Sequence, residues 1–416
     1  MKIAFLTLGC KLNYAETSTY ERGFRAAGME VVPWREKADV CLINTCSVTS
    51  VADGKSRNFV RKMHRMNPGA LIFVTGCSAQ LRKDEIEAIE GVTRVFGSEE
   101  KSRVVPEVLS VLGMSCPSVK RSCAENVFPA YSTGERTRSF LKVQDGCDNF
   151  CRYCTVPYAR GRSRNVPICE CVENARLIAA EGVKEIVLTG VNTGDFGRTT
   201  GEGFLDLLKA LDSVDGIERY RISSVEPNLI TEEIVDWIAS GTKFQPHFHI
   251  PLQTGCDDLL VAMGRHYDTD FFRRKIGYIR RAMEGPGKPK VFFGIDVMVG
   301  LPGETDSRFE ETVRFISGIR PAFIHVFPYS RRPGTPAASM PGQVPETVKA
   351  ERVASLEELC SRLHSDFVES NRGVHEKVLF ESAEKSGMME GYTGNYIRIE
   401  RPWDGTLVNT LVDVVI

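Results

Sequence analysis

Three short, mostly apolar runs open the chain, residues 3–8, 39–44 and 71–75, and the stretches between them have helical character, as in 16–27. Runs this apolar bury both faces of a strand, so the alternation predicts β-α-β-α-β around a parallel sheet. From 113 to 138 the periodicity fades into Ser, Pro, Lys and Glu, which reads as a linker. The pattern then resumes about six times, with candidate strands at 140–144, 185–189, 219–223, 247–251, 291–299 and 323–327 and helices such as 169–180, 205–211 and 271–283 between them. Six such units make a partial (βα)6 barrel, whose chemistry belongs at the carboxyl ends of its strands. A long amphipathic helix is expected over 346–371, with Leu356, Leu359, Leu363 and Phe367 on one face and Gly373 as its C′ stop. Beyond it, 377–381, 394–400 and 410–416 alternate apolar and polar residues between Gly-bearing turns, the pattern of a small antiparallel β module. The expected architecture is α/β: a parallel-sheet domain over 1–112, a linker over 113–138, the barrel with its terminal helix over 139–372, and a β module over 373–416.

With 416 residues, 42% hydrophobic and 26% charged, the chain is long enough for two or three cores. Its first apolar run is too short for a signal peptide and no later run approaches the eighteen residues of a membrane span, so a cytosolic protein without a membrane partner is expected. Thirteen cysteines without a secretory context favour reduced thiols and metal ligation over disulfides. The net charge of −1 means that any nucleic acid must be met by a local basic patch. Arg57, Arg61 and Arg65 recur every four residues, with Lys62 beside them, so a helix there presents a basic stripe. Such a stripe is either a solvated face or a contact for RNA phosphates.

Each of the first three runs ends on a cysteine: Cys10, Cys46 and Cys77. In an open parallel sheet the carboxyl ends of the strands line one edge, so residues 36 and 31 apart in sequence converge there. They are either unrelated small buried residues or ligands of an iron–sulfur cluster. Cys41, inside its strand, reads as core packing. A second set follows the strand at 140–144, as Cys147-Asp-Asn-Phe-Cys151-Arg-Tyr-Cys154. A zinc site needs a fourth ligand, and the nearest candidates are Cys169 and Cys171, on a helix opening at Pro167. Two residues apart, they point about 200° away from one another and cannot both reach one ion. Three thiolates instead suit a [4Fe–4S] cluster with one iron lacking a protein ligand, the open position that chemistry requires. Cys116 and Cys123, in the linker, read as unliganded. The later strands end on Gly190 and Asn192, Ser223 and Glu226, Gln253, Gly300 to Glu304, and Phe327. Singly these are ordinary βα turns; jointly, over the three-cysteine loop, they outline a ligand pocket.

The Cys-x3-Cys-x2-Cys spacing, with Tyr153 before the last cysteine, resembles the radical S-adenosylmethionine (SAM) superfamily. There the open iron chelates the amino and carboxylate groups of SAM, and one electron splits the sulfonium to a 5′-deoxyadenosyl radical. The resemblance implies that Gly190 and Asn192 serve the SAM amino group, Ser223 and Glu226 the ribose, and Tyr153 with the backbone near Phe327 the adenine, while Gln253 lines the same pocket.

Over essentially its whole length the chain resembles the methylthiotransferase family, through Leu8-Gly-Cys-Lys-Leu-Asn13, Asn44-Thr-Cys-Ser, Thr75-Gly-Cys77-Ser-Ala-Gln80, Pro157-Tyr-Ala-Arg-Gly161, His249-Ile-Pro-Leu-Gln-Thr-Gly255 and Phe327-Pro-Tyr-Ser-Arg-Arg-Pro-Gly-Thr-Pro336. The family implies a flavodoxin-like first domain, a radical SAM barrel and a terminal TRAM-like RNA-binding module. Lys11-Leu-Asn13, Val48-Thr49 and Ala52-Asp-Gly-Lys-Ser-Arg57 resemble the branch acting on N6-threonylcarbamoyladenosine beside the tRNA anticodon, although Gly54 stands where that branch carries a basic residue. The alternatives are the isopentenyladenosine branch, which usually has Gln-Met-Asn after the first cysteine, and the ribosomal-protein branch, with Pro-Lys-Asn. By resemblance, the cluster on Cys10, Cys46 and Cys77 holds sulfur that one SAM methylates, and a second SAM at the Cys147, Cys151 and Cys154 cluster activates the adenine. The implied cofactors are two [4Fe–4S] clusters and SAM. The implied partners are a tRNA anticodon stem-loop met by Arg57, Arg61, Lys62 and Arg65, a reducing electron-transfer protein and a sulfur donor, around a monomer. A rival of another class, a non-catalytic iron–sulfur RNA-binding or electron-carrying protein, needs no SAM crevice beside Cys147.

Overall fold

The computed structural model describes residues 1–117, 127–134, 137–198 and 200–416. Its first sheet contains β1 Lys2–Thr7, β2 Glu30–Val32, β3 Val40–Thr45, β4 Leu71–Gly76 and β5 Val92–Val95. All are parallel, in the order β2-β1-β3-β4-β5. Alternate residues bury opposite faces: Ala4, Ile43 and Val74 pack with Val60 and Met63 of helix α2 (Ser50–Met66), while Ile3, Leu42 and Phe73 pack with Tyr20 and Phe24 of α1 (Lys11–Ala26). Burial on both sides is why these strands read as unbroken apolar runs. The two further strands, β2 and β5, are short edge strands in which Glu30, Thr93 and Arg94 interrupt the apolar signal.

Eight strands follow: β6 Arg138–Lys142, β7 Gln144–Asp145, β8 Arg164–Asn165, β9 Glu185–Thr189, β10 Arg219–Ile222, β11 His247–His249, β12 Phe292–Val299 and β13 Phe323–Pro328. Two parallel sheets, β6-β9-β10 and β11-β12-β13, are joined by a Tyr220–Phe244 bridge into a six-stranded partial barrel, as expected. Leu141, Ile186, Leu188 and Ile295 face outward into one core with the surrounding helices. The strand expected over 140–144 stops at Lys142. The short β7 pairs antiparallel with β8 instead, fencing off the loop that carries the three cysteines. The helix Glu346–Glu369 covers β13 through Leu356, Leu359, Cys360 and Leu363, with Phe367 edge-on to Phe292. Because the helix ends at Glu369, Gly373 is not its C′ residue. At φ 81° it turns the chain into the next sheet, its N–H donating to the Ile416 carbonyl at 2.7 Å.

That sheet contains β14 His375–Lys385, β15 Met388–Tyr392, β16 Arg398–Pro402 and β17 Leu411–Val415, antiparallel in the order β16-β15-β14-β17. The strand expected over 394–400 begins only at Arg398, because residues 393–397 form a turn that plugs the barrel floor. Arg221 donates to the carbonyls of Thr393 and Gly394 at 2.8 and 2.6 Å, and the Tyr396 ring packs 4.8 Å from His247. The β15 strand was not foreseen, since Glu390 and Gly391 break the alternation.

The first sheet domain sits against the open side of the barrel, where Ala15 of α1 packs with Phe140 and Val187 from the barrel's inner face. Part of the expected linker shares this seam, with Tyr131 bridging to Leu141. Cys116 is exposed, and Cys123 lies outside the described residues. Among the described residues no helix is long and apolar enough to cross a membrane.

A buried charge network spans the seam. Glu16 Oε1 accepts from Lys101 and Lys142 Nζ, both at 2.8 Å, and from Arg160 at 3.2 Å; Asp145 accepts from Lys142 at 2.6 Å and Arg160 at 2.9 Å. Burial alone would raise both carboxyl groups. Lys101, Lys142 and Arg160 outweigh it and hold each well below the usual carboxylate range. Depressed folded values make this stabilisation fully present above the unfolded pKa near about 4, and lost as pH falls through the folded values. An acid titration followed by near-UV circular dichroism is therefore expected to hold its tertiary signal to about pH 4 and lose it below. Loss already at pH 6 would contradict this account.

Candidate active site

The first triplet stands where the parallel sheet delivers it. Cys10 caps α1, Cys46 follows β3, and Cys77 opens the short helix after β4. Only glycine allows the approach: at Gly9, φ 99°, an added Cβ would lie 2.7 Å from both Cβ and Sγ of Cys46. Burial pushes the Cys46 thiol up to about 11, with Cys77 and Cys10 adding to the rise, and also raises Cys77. Asn13 donates to the carbonyls of Leu8 and Thr45 at 2.7 and 3.0 Å, tying two of the cysteine loops together. Arg160 closes the group from the barrel side. It reaches Asn13 Oδ1 at 2.6 Å, and its charge is held on, against burial, by Cys77, Asp145, Glu16 and Cys10.

The second triplet rides on the loop between β7 and β8. Gly146, φ 75°, meets the Arg162 carbonyl so closely that a Cβ would fall 2.0 Å from it. Backbone N–H groups of Asn149 and Val156 donate to Cys147 and Cys154 Sγ at 3.5 and 3.4 Å. Burial still pushes Cys147 up to about 11 and Cys154 to about 12. Beside the loop the ends of β9 and β10 come together. Gln144, absent from the expected set, organises them: its Oε1 accepts from Val191 and Asn192 N at 2.9 and 3.0 Å, and its Nε2 donates to the Gly146 carbonyl and Ser163 Oγ at 2.8 and 2.9 Å. Gly190 leaves room for that amide, since a Cβ there would lie 2.9 Å from Gln144 Oε1. Asn192 Oδ1 accepts from Glu226 N at 3.2 Å. The Glu226 carboxylate is paired. Arg265, also unforeseen, donates to its two oxygens at 2.6 and 2.5 Å and reaches Cys151 Sγ at 3.2 Å and the Tyr153 hydroxyl at 3.4 Å. Gln253, at φ 70°, and Phe327 stand on either side of Met298 of β12. The Ser223 hydroxyl is buried and without a hydrogen-bond partner among the described residues.

Residues 2–97 match a family described as "Uncharacterized protein family UPF0004", and residues 141–316 match the radical SAM superfamily. The chain is 38% identical to the threonylcarbamoyladenosine tRNA methylthiotransferase MtaB of Bacillus subtilis, over 100% of this chain and 93% of that protein. The chain belongs to the radical SAM methylthiotransferase family. It is also 36% identical to MtaB of Aquifex aeolicus, over 96% of this chain and 97% of the relative. To the tRNA-2-methylthio-N(6)-dimethylallyladenosine synthase of Carboxydothermus hydrogenoformans it is 31% identical, over 92% and 88%. The radical SAM methyltransferase TsrM of Kitasatospora setae, solved with cobalamin and a [4Fe–4S] cluster, shares the fold at TM-score 0.58 and 14% identity, over 81% of this chain and 74% of that one.

This methylthiotransferase uses SAM and two [4Fe–4S] clusters, and its thiols suit them. A tetrahedral zinc with Zn–S of about 2.3 Å needs sulfurs about 3.8 Å apart. Among the described residues each triplet brings three thiols to strand ends and no fourth cysteine with them, and the compact group of three metal-ligating atoms is instead His249, Asp296 and His325, mutually within 4.8 Å. Three thiols suit a four-iron cluster, each on a different iron, with the fourth iron open. The buried, unpartnered Ser223 hydroxyl likewise offers a free group to a polar ligand at the end of β10. Cys41 is core, as expected, while Cys169 is exposed and Cys171 buried on opposite sides of the helix Ile168–Ala180. Arg57, Arg61, Lys62 and Arg65 do share helix α2. Arg61, Lys62 and Arg65 are exposed, whereas Arg57 is half-buried and pairs with Glu85 at 3.4 Å.

Arg265, Gln144 and Arg160 escaped the sequence reading because each is a polar residue near a turn, without periodicity. The one available signal was Arg160 inside the quoted Pro157 to Gly161 stretch.

Proposed function

We propose that this enzyme converts N6-threonylcarbamoyladenosine beside the tRNA anticodon into its 2-methylthio derivative. The observation that carries the reading is full-length identity of 34–38% to five MtaB proteins, against 31–32% to the dimethylallyladenosine synthases. Cys10, Cys46 and Cys77 would hold one cluster and Cys147, Cys151 and Cys154 the other, with SAM in the crevice of Tyr153, Gly190, Asn192, Ser223, Glu226, Gln253 and Phe327. SAM on an open iron supplies one-electron chemistry at the adenine C2–H, a bond no side chain of ordinary pKa ionises. The protein's own part is positioning. Arg265 joins Glu226, Tyr153 and Cys151 into one wall of the crevice, and Gln144 fixes the turn opposite.

The anticodon stem would run along Arg61, Lys62 and Arg65. The exposed Phe150 and Tyr158, edge to face at 5.9 Å beside the second triplet, offer stacking surfaces for loop bases. The order β2-β1-β3-β4-β5 supports a flavodoxin-like first domain, and the antiparallel sheet from His375 supports a TRAM-like module. The division at 112, 138 and 372 follows the separate sheets. A cytosolic monomer reduced by an electron-transfer protein and supplied by a sulfur donor completes the proposal. Anaerobic reconstitution tests it. About eight irons per chain are expected, and SAM, reductant and threonylcarbamoylated tRNA should yield a methylthio mass increase on the nucleoside. Product from isopentenyladenosine tRNA alone would overturn the substrate.

A further inference from the structure

The barrel is not filled by apolar side chains. Arg138, Glu185, Arg221, His249, Asp296 and His325 face its lumen from six successive strands, and Lys11, at the N-terminus of α1, is near enough to five of them (Arg138, Glu185, Arg221, Asp296 and His325) for its charge to act on them. Lys11 is exposed, and its ammonium stands 6.0 Å from the ring of Phe140 on the barrel's inner face. The other lumen charges are committed. Arg138 pairs with Glu381, Arg221 with Glu185 at 2.8 Å, and Asp296 with His249 Nε2 at 2.9 Å. Among the described residues Lys11 has neither an ion pair nor a hydrogen bond, only the Phe140 ring at 6.0 Å. The lumen face of β13 is accessible: Phe323 and Phe327 are exposed and His325 lies between them, 4.8 and 6.5 Å from their rings. An uncommitted cation, one residue from Cys10, thus stands near a face lined with aromatic rings.

We propose that Lys11 binds the carboxylate of the threonyl arm and so makes this site selective for an acidic N6 substituent. This rests on the substrate reading above. In adenine, C2 and the exocyclic N6 both flank N1, so the arm and the hydrogen to be replaced lie on the same edge of the ring. A base that turns C2 toward the Cys10 triplet carries its arm toward the residue following Cys10. An ammonium given a carboxylate forms a charge-assisted hydrogen bond. One faced with an isopentenyl arm is left unpaired beside an apolar group, and a site built to bond a polar group discriminates strongly against an analogue lacking it.

The test uses the reconstituted holoenzyme and synthetic anticodon stem-loop RNAs carrying threonylcarbamoyladenosine either as the free acid or as its methyl ester. With the wild-type enzyme, esterification is expected to lower kcat/KM for methylthiolation about 10- to 100-fold. Lys11→Met at wild-type iron content is expected to lose about the same factor on the acid and to treat acid and ester alike, the signature of direct coupling. Should Lys11→Met fail to hold its iron, the acid-to-ester ratio of the wild-type enzyme decides. Equal turnover of acid and ester by the wild type overturns the Lys11 assignment and leaves the substrate reading standing, whereas no turnover of the acid overturns both.

Discussion

Cys10→Ala, Cys46→Ala and Cys77→Ala are each expected to lower methylthiolated product by more than about a hundredfold, while SAM is still cleaved to 5′-deoxyadenosine. Cys147→Ala, Cys151→Ala and Cys154→Ala should abolish both. The asymmetry follows from the architecture: the first triplet sits on the edge of the N-terminal sheet, the second on a loop fenced by β7 and β8. An alanine methyl cannot ligate iron, yet it leaves the strand carrying it buried as before. The measurement is paired quantification of 5′-deoxyadenosine and methylthio-nucleoside in one anaerobic reaction, with iron counted per chain. Loss of cleavage in all three of the first variants, with the second cluster still loaded, would sink this division of labour.

Glu16→Ala is expected to cost about 3–5 kcal/mol of stability, the penalty for leaving buried charge uncompensated. Lys101 has Glu16 as its ion-pair partner, and three buried cations, Lys101, Lys142 and Arg160, face two buried carboxylates, Glu16 and Asp145. Removing one carboxylate leaves three cations against one. The surplus already present has a use, since Arg160 lies close enough for Cys77 and Cys10 to help hold its charge. Thiolates there would be balanced across the seam by a residue of the barrel. Urea unfolding of the apoprotein, followed by tryptophan fluorescence, reads the loss. Glu16→Gln combined with Lys101→Met should recover part of it, because a matched neutral pair leaves no isolated charge. A midpoint for Glu16→Ala within error of the wild type would mean that the network is hydrated and contributes little.

Much of this was legible beforehand, for reasons that differ between elements. Burial on both faces makes β1, β3 and β4 unbroken apolar runs, while the barrel strands keep an apolar outer face that recurs between helical stretches; both patterns stood out, and with them the cysteines that follow β1, β3, β4 and β6. Edge strands have no such signature, which is why β2 and β5 passed unnoticed, and the internal β15 escaped because Glu390 and Gly391 break its alternation. The strand expected across 394–400 was misplaced because Thr393, Asn395 and Ile397 are buried in a plug and not in a ladder.

By itself the sequence determined the six cysteines and their spacing, the α/β alternation, and the pattern that marks the family. Ligand spacing on a loop and residues at strand ends are local properties of the chain. Only the tertiary structure decided what surrounds them. Arg265 comes to Cys151 from 114 residues away, Arg160 to Glu16 from 144, and Lys142 to Glu16 from 126. Charge partners across a seam follow no period, since the geometry that joins them is set by the packing of whole layers. Lys11 is the clearest case: in the sequence it is one lysine after a cysteine, and only the barrel around it shows an ammonium without a partner.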